Sequence, residues 1–293
     1  MNQMRKFFED RKELINNWEI EYVDSKNLPH LLISDPPLLA GFTGYLKYQC
    51  IKRDRNSKVF FRGQTKNYDL IPSLFRDYEG IVTNNARIDL RLKAYEELVE
   101  NTSSLYKASR FRNENLNPIL QHYGIRTPWI DLVDNIFVAI WFATNKFVVD
   151  DNGLAKFDLS NEEFGWIYYF QVTDDIKYYD LREHHSSLSL RIHSQHGISA
   201  TRKNNCWDMI NRNLNSYVCA IVKFPITKDW LLHGRIFDTA FMFPNEKFDN
   251  TYKYLKMKKF YDLLQRIVKD YGLEKNELGR IATYDSSINK EVA

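Results

Sequence analysis

Residues 117–147, "NPILQHYGIRTPWIDLVDNIFVAIWFATNKF", restrict the fold of this 293-residue chain more than any other stretch. Pro118 suits the first turn of a helix, and Gly124 suits a helix stop. Thr127 precedes a proline and is biased away from helix, so "IRTPWIDL" reads as extended. Asp134 or Asn135 can cap a second helix over 135–147, apolar nearly all round and therefore buried. A helix, a short strand and a buried helix then present 121–134 at a rim.

A second stretch, "VFFRGQTKNYDLIPSLFR" (59–76), raises a question of charge. Val59–Phe61 read as a short buried strand. Gly63 reads as its breaker and lets backbone approach a ligand closely. Arg62 then emerges at a strand end beside the core, where an unanswered guanidinium is costly. Either a carboxylate of the protein, with a buried pair to Asp131 as the bland choice, or an anionic ligand has to answer it.

Elsewhere the pattern alternates between helical and extended. Residues 3–18 suggest an amphipathic helix with Phe7, Leu14 and Ile15 on one side. "SDPPLLAG" (34–41) is a break, and helix resumes over 39–53 and again over 86–109. "GWIYYFQV" (165–172) and "SYVCAIVKFPI" (216–226) read as strands, and "SLSLRIHSQHGISAT" ends in a Gly-centred turn. A closing helix is expected over 251–271. The fold class is α+β, a single domain with a helical N-terminal part and a mostly antiparallel β core. Three segments are expected: a helical region at 1–56, a central domain at 57–255, and a helix and tail at 256–293.

Bulk properties exclude several classes. Lys and Arg number 41 against 38 Asp and Glu, a net +3 too small to indicate a dedicated nucleic-acid domain. Local basic runs stand at 52–58, 107–112 and 256–259. Cys50, Cys206 and Cys219 are odd in number and far apart, which fits a reducing compartment and neither a zinc site nor a disulfide framework. The start of the chain lacks a signal-peptide core, and no apolar run reaches a membrane-spanning length. A cytoplasmic protein with no membrane association and no metal is expected. GxGxxG, GxxxxGK[ST], HExxH and GxSxG are all missing. His184 and His185, read as neighbours on a strand, would face opposite sides.

Three polar clusters remain: Arg62, Gln64, Ser73 and Arg76; Gln121, His122, Tyr123, Arg126, Thr127 and Asp131; and Arg191, Gln195, His196 and Gly197. Clusters of this kind at strand ends point to a polar pocket. The quoted 59–76 stretch resembles the FRG domain, with its Phe-Arg-Gly and Pro-Ser-Leu-Phe-Arg segments. "LQHYGIRTPWIDLVDNIFVAIWFAT" is similar to that family's second block, "RIHSQHG" (191–197) to its third and "FMFPNEKFDNTYKYL" (241–255) to its closing segment. Pro128-Trp129 and Ser199 depart from the family pattern.

The order of these blocks is also similar to the Arg-Ser-Glu arrangement of ADP-ribosyltransferases, which implies a split β core of that type. It further implies NAD as substrate, with Arg62, Gly63, Gln64, Arg76, Tyr123 and Thr127 around it. Arg62, His122, Thr127, Asp131 and Gln195 would be the catalytic set. Gln195 stands where a Glu is usual, so Asp131 or Glu183 would supply the carboxylate. The resemblance implies an effector or toxin of a toxin–antitoxin or phage-defence system, with an antitoxin or regulatory partner and a nucleic-acid or protein acceptor. Two other readings stay open: a nucleotide- or phosphate-binding module, and a ribonuclease using His122 and Asp131.

Overall fold

The computed structural model describes residues 20–23, 29–77, 80–82, 84–105, 113–149, 154–185, 189–203, 212–234 and 238–284. The helix expected over 3–18, the basic run at 107–112 and Cys206 lie outside them.

Strands β1 (Glu21–Val23) and β2 (His30–Leu32) lead into α1 (Pro36–Arg53). Then come β3 (Lys58–Gln64), the short β4 (Arg76–Asp77) and β5 (Gly80–Ile81), α2 (Asn85–Leu105) and α3 (Asn113–His122). Next are β6 (Ile130–Val133), α4 (Ile136–Thr144), β7 (Asn145–Val149), β8 (Leu154–Leu159), β9 (Phe164–Val172) and β10 (Ile176–Asp180). The short helices α5 (Leu181–His184) and α6 (Leu190–Ser194) precede β11 (Gly197–Arg202) and β12 (Val218–Pro225). The chain closes with α7 (Lys228–Gly234), α8 (Thr239–Met242), α9 (Asn250–Leu255), α10 (Lys258–Asp270) and β13 (Thr283–Tyr284).

This is a mixed α/β fold. Its main sheet has eight strands in the order β1-β2-β12-β9-β3-β6-β11-β10. β2 and β12 run parallel, and the other neighbouring pairs are antiparallel. β9 and β12 are near-continuous apolar runs because both faces of the sheet centre are covered. A first core forms there, from Phe61, Tyr169, Ile221 and the apolar helix α4. Asn135 caps α4 by accepting from the Phe137 amide. A second core holds α2, α3 and α10 together through Ile88, Leu98, Ile119, Leu120, Leu264 and Ile267.

Several elements differ from the sequence reading. Gly63 does not break β3, which runs on to Gln64 with Gly63 paired to Ile167. A Cβ at Gly63 would stand 1.8 Å from the Ala139 carbonyl oxygen, so the close approach it permits is that of α4. The prolines at 36–37 start α1 rather than interrupt it, since the first helical positions need no amide donor. Pro118 lies inside α3, where burial of Leu116, Ile119 and Leu120 offsets its missing hydrogen bond. The helix expected to reach 147 ends at Thr144, and 145–149 pair with β8. The closing helix is two, with Lys256 and Met257 between them. Gln195 caps the short α6, and the turn before β11 takes its positive φ (52°) at His196, not at Gly197. His184 ends a helix, so the strand argument about His184 and His185 does not apply.

Candidate functional site

β3 and β6 lie side by side, with Phe61 opposite Val133, and so place Arg62 beside Asp131. A cavity of about 530 Å³ opens there, within the range typical of ligand sites. Arg62, Arg126 and Arg280 give its lining positive charge, and Phe142, Phe147, Phe157, Phe243 and Tyr284 give it aromatic surface. His122, Asp131 and Gln195 also line it.

The partly buried Arg62 donates from Nη1 to the Asp131 carbonyl oxygen at 2.6 Å and from Nε to Gln64 Oε1 at 3.4 Å. Burial pulls its guanidinium below the ordinary value, and the Asp131 charge opposes that shift. Arg76 behind it is pulled down to about 10, by burial first and then by the charges of Arg62 and Arg126. Arg126 in turn donates to the Arg76 carbonyl oxygen. Crowded guanidiniums of this kind favour an anion, which relieves their mutual repulsion.

His122 is held from three sides. Gln195 Nε2 donates to the Met242 carbonyl at 2.8 Å, which turns Oε1 towards His122 Nδ1 at 2.9 Å. Nδ1 therefore carries a proton, and Nε2 faces Asp131 Oδ1 at 3.3 Å. Neither of these two buried atoms has another hydrogen-bond partner among the described residues. The carbonyl of His122 accepts from Arg191 Nη1 at 3.0 Å. Arg191 is fully buried, its guanidinium centred 4.4 Å from the Tyr252 ring and 4.7 Å from those of Tyr123 and Tyr284.

Seven of the residues singled out from the sequence line the cavity: Arg62, Gly63, Gln121, His122, Arg126, Asp131 and Gln195. Gln64, Arg76, Thr127 and Tyr123 stand behind it. Gln64 donates to the Tyr68 carbonyl, and the Tyr123 hydroxyl donates to the buried Asp249. Thr127 is buried and donates to Gln121 Oε1, a lining residue, at 2.5 Å. Glu183 and His196 are outside the lining, His196 paired with Asp134 at 2.9 Å. Asp131 is the cavity's one carboxylate among the described residues.

Sequence reading missed most of the aromatic lining and the whole C-terminal wall. Asn276, Gly279, Arg280, Ala282 and Tyr284 form a strap across the family-like blocks. The Arg126 amide donates to the Leu278 carbonyl and the Arg280 amide to the Gly124 carbonyl, at 2.9 and 3.1 Å. Gly124 and Gly279 have φ of 99° and 82°, and a Cβ on either would stand 2.3 Å from a backbone oxygen of the opposing segment. Phe243 stacks on both Phe157 and Tyr284, its ring centre 4.4 and 4.8 Å from theirs. The Gly279-Arg280 pair following the closing helix was the available signal.

Among the described residues no three His, Cys, Asp or Glu side chains gather where they could hold a metal, and no helix is long and apolar enough to cross a membrane. Compared with known proteins, residues 57–152 match the family model described as FRG domain. The segments at 191–197 and 241–255 lie beyond the matched residues. No curated protein and no solved structure matches the chain.

Proposed function

The chain carries an FRG domain over residues 57–152, and from that premise we propose that its cavity binds NAD and transfers the ADP-ribosyl group to an acceptor. The observation that carries this reading is one cavity lined by three arginines, by stacked aromatic rings and by a single described carboxylate. The pyrophosphate takes Arg62, Arg126 and Arg280. An aromatic base enters among Phe157, Phe243 and Tyr284.

In the reaction the bond between ribose C1′ and the nicotinamide nitrogen breaks, and nicotinamide departs with the electron pair. The Asp131 carboxylate stabilises the positive ribosyl centre. As the acceptor's oxygen or nitrogen bonds to C1′, its proton passes to the Asp131–His122 pair and then to solvent. Gln195 keeps His122 oriented for this exchange. Thr127 acts by positioning Gln121 rather than by touching the ribose.

Arg62 on a sheet strand, then Thr127 ahead of an Ala-x-x-Phe-Ala helix, then Gln195 support an ADP-ribosyltransferase-like core. An effector role in a toxin–antitoxin or phage-defence system, with a neutralising or regulatory partner, belongs to the same proposal. The test is nicotinamide release from NAD by the purified protein, alone and with RNA, DNA or lysate protein, for wild type and Arg62→Ala. Arg62-dependent release supports the reading. A folded protein that binds nucleotide without release, or that cleaves RNA without NAD, removes it in favour of a binding module or a His122–Asp131 nuclease.

A further inference from the structure

The strap that walls the cavity has a second face. On its far side lies another cavity of about 500 Å³, lined by Leu255, Lys256, Lys258, Phe260, Tyr261, Leu264, Gln265, and the strap residues Lys275, Asn276, Gly279, Arg280, Ile281 and Thr283. Asn276, Gly279 and Arg280 line both cavities. The second lining holds Lys256, Lys258, Lys275 and Arg280 and no described carboxylate.

The charges here are available to a ligand. Lys256 pairs with Glu246 at 3.0 Å and Lys258 with Asp262 at 2.6 Å, but these carboxylates are 49% and 54% exposed and stand outside the lining. Such surface pairs are weak and screened by salt, so a phosphate displaces them easily. Lys275 and Arg280 are exposed, and neither pairs with a described carboxylate. Tyr261 stands 54% exposed among these cations and offers a ring face. α10 opens onto the groove with no acidic residue in its first turn. Cations spaced along a groove with an accessible aromatic ring are the combination that holds single-stranded nucleic acid, through its phosphates and one stacked base.

We propose that this groove is the acceptor site for a single-stranded nucleic acid, delivered to the NAD cavity over Arg280. The inference rests on the transferase reading for its role as acceptor site, while the binding itself stands or falls separately. The groove and the cavity share Asn276, Gly279 and Arg280 as lining, so a strand on Lys258 and Lys275 would reach the reacting ribose around Arg280 rather than through the core. A folded acceptor protein has less to gain, because Leu255, Phe260 and Leu264 of the lining are buried and Ile281 is half-buried.

The experiment is fluorescence anisotropy of the full chain with fluorescein-labelled 20-mers, U20 and dT20 and their duplexes, across a salt series and without NAD. Wild type should bind the single strands more tightly than the duplexes, with log affinity falling linearly against log salt. Lys258→Glu with Lys275→Glu should weaken binding by roughly tenfold or more and flatten that slope by about 1.4, the share of two phosphate contacts. Lys269→Glu makes half that charge change at the far end of α10, outside the lining, and should leave affinity within about twofold. Melting curves confirm that the variants are folded. No single-strand binding at low salt, equal loss with Lys269→Glu, or NAD breakdown that responds only to protein acceptors would each overturn the groove assignment. Charge-dependent binding without NAD breakdown would keep the groove as a nucleic-acid site and remove the transferase reaction.

Discussion

Arg62 and Asp131 meet through the backbone: the guanidinium donates to the Asp131 carbonyl oxygen at 2.6 Å, while the Asp131 carboxylate faces His122. A pair of buried side chains would lose about 3–5 kcal/mol when one partner is removed. A single charged hydrogen bond costs about 1.5–3 kcal/mol, and relief of repulsion with Arg76 returns part of that. Arg62→Ala should therefore melt within a few degrees of wild type yet lose most of its affinity for inorganic pyrophosphate. Calorimetry and ligand titration on one preparation check both halves, and a collapsed melting curve with affinity intact would refute the assignment.

Gln195 gives a prediction with a different signature. Its Oε1 is the acceptor for His122 Nδ1, and its own Nε2 is anchored on Met242. Gln195→Leu keeps the volume and removes the acceptor, leaving Nδ1 buried and unsatisfied at a cost of about 1–3 kcal/mol. On the proposed reaction, kcat should fall by roughly 100-fold with KM little changed, because the base loses its orientation rather than the substrate its contacts. Gln195→Glu, which keeps an acceptor in place, should recover part of the rate. Steady-state kinetics across pH on both variants distinguishes orientation from simple loss of fold.

The sequence was legible where local chemistry and tertiary structure agree. Val59–Phe61, 165–172 and 216–226 are apolar and β-prone and became the centre of the sheet, and Asn135 capped the buried helix as its residue type requires. Arg62, His122, Asp131 and Gln195 carried the site because each is polar amid apolar neighbours. Tyr123 and Thr127 are equally polar in the sequence, yet their groups are satisfied internally by Asp249 and Gln121. Nothing in one sequence separates a polar group that faces a cavity from one that supports it. Arg280 and Tyr284 were missed for another reason: their place depends on a long-range crossing at Gly124 and Gly279 that leaves no periodic signal.

Gly63 supplies a stability test. A Cβ there would stand 1.8 Å from the Ala139 carbonyl oxygen and 2.8 Å from the Ala143 amide, both backbone atoms of a buried helix. No rotamer relieves such contacts, so α4 must move away from β3. Gly63→Ala should destabilise by about 3 kcal/mol through overpacking, and the displaced helix should widen the cavity beside Phe142. Gly44 has nothing within 4 Å of its Cβ position, so Gly44→Ala in helix α1 should be neutral or stabilising. Denaturant unfolding of the two variants should place them on opposite sides of wild type or nearly so. Equal stability would contradict the packing described.

Glu277 fixes the strap to the body of the protein and sets its response to acid. It is buried and accepts from Arg91 Nε at 2.9 Å, from Arg87 and from the Glu274 amide. Burial acts to raise its carboxyl, but the hydrogen bonds from Arg87, the Glu274 amide and Arg91 outweigh it, so the folded value lies below the ordinary 4.5. A carboxylate lowered on folding contributes stability above its unfolded value, and that contribution is lost as pH falls through the folded one. The pairing is thus complete at neutral pH and disappears below about 4.5. Glu277→Gln leaves the buried Arg91 without its counter-charge and should cost about 3–5 kcal/mol at pH 7. The gap between its melting temperature and that of wild type should close as pH is lowered below 4.5. Because Asn276, Gly279 and Arg280 follow Glu277's anchorage, the variant should also lose pyrophosphate affinity at neutral pH, where Arg62 is unchanged. A melting gap constant across pH would assign the loss to packing instead of to the ion pair.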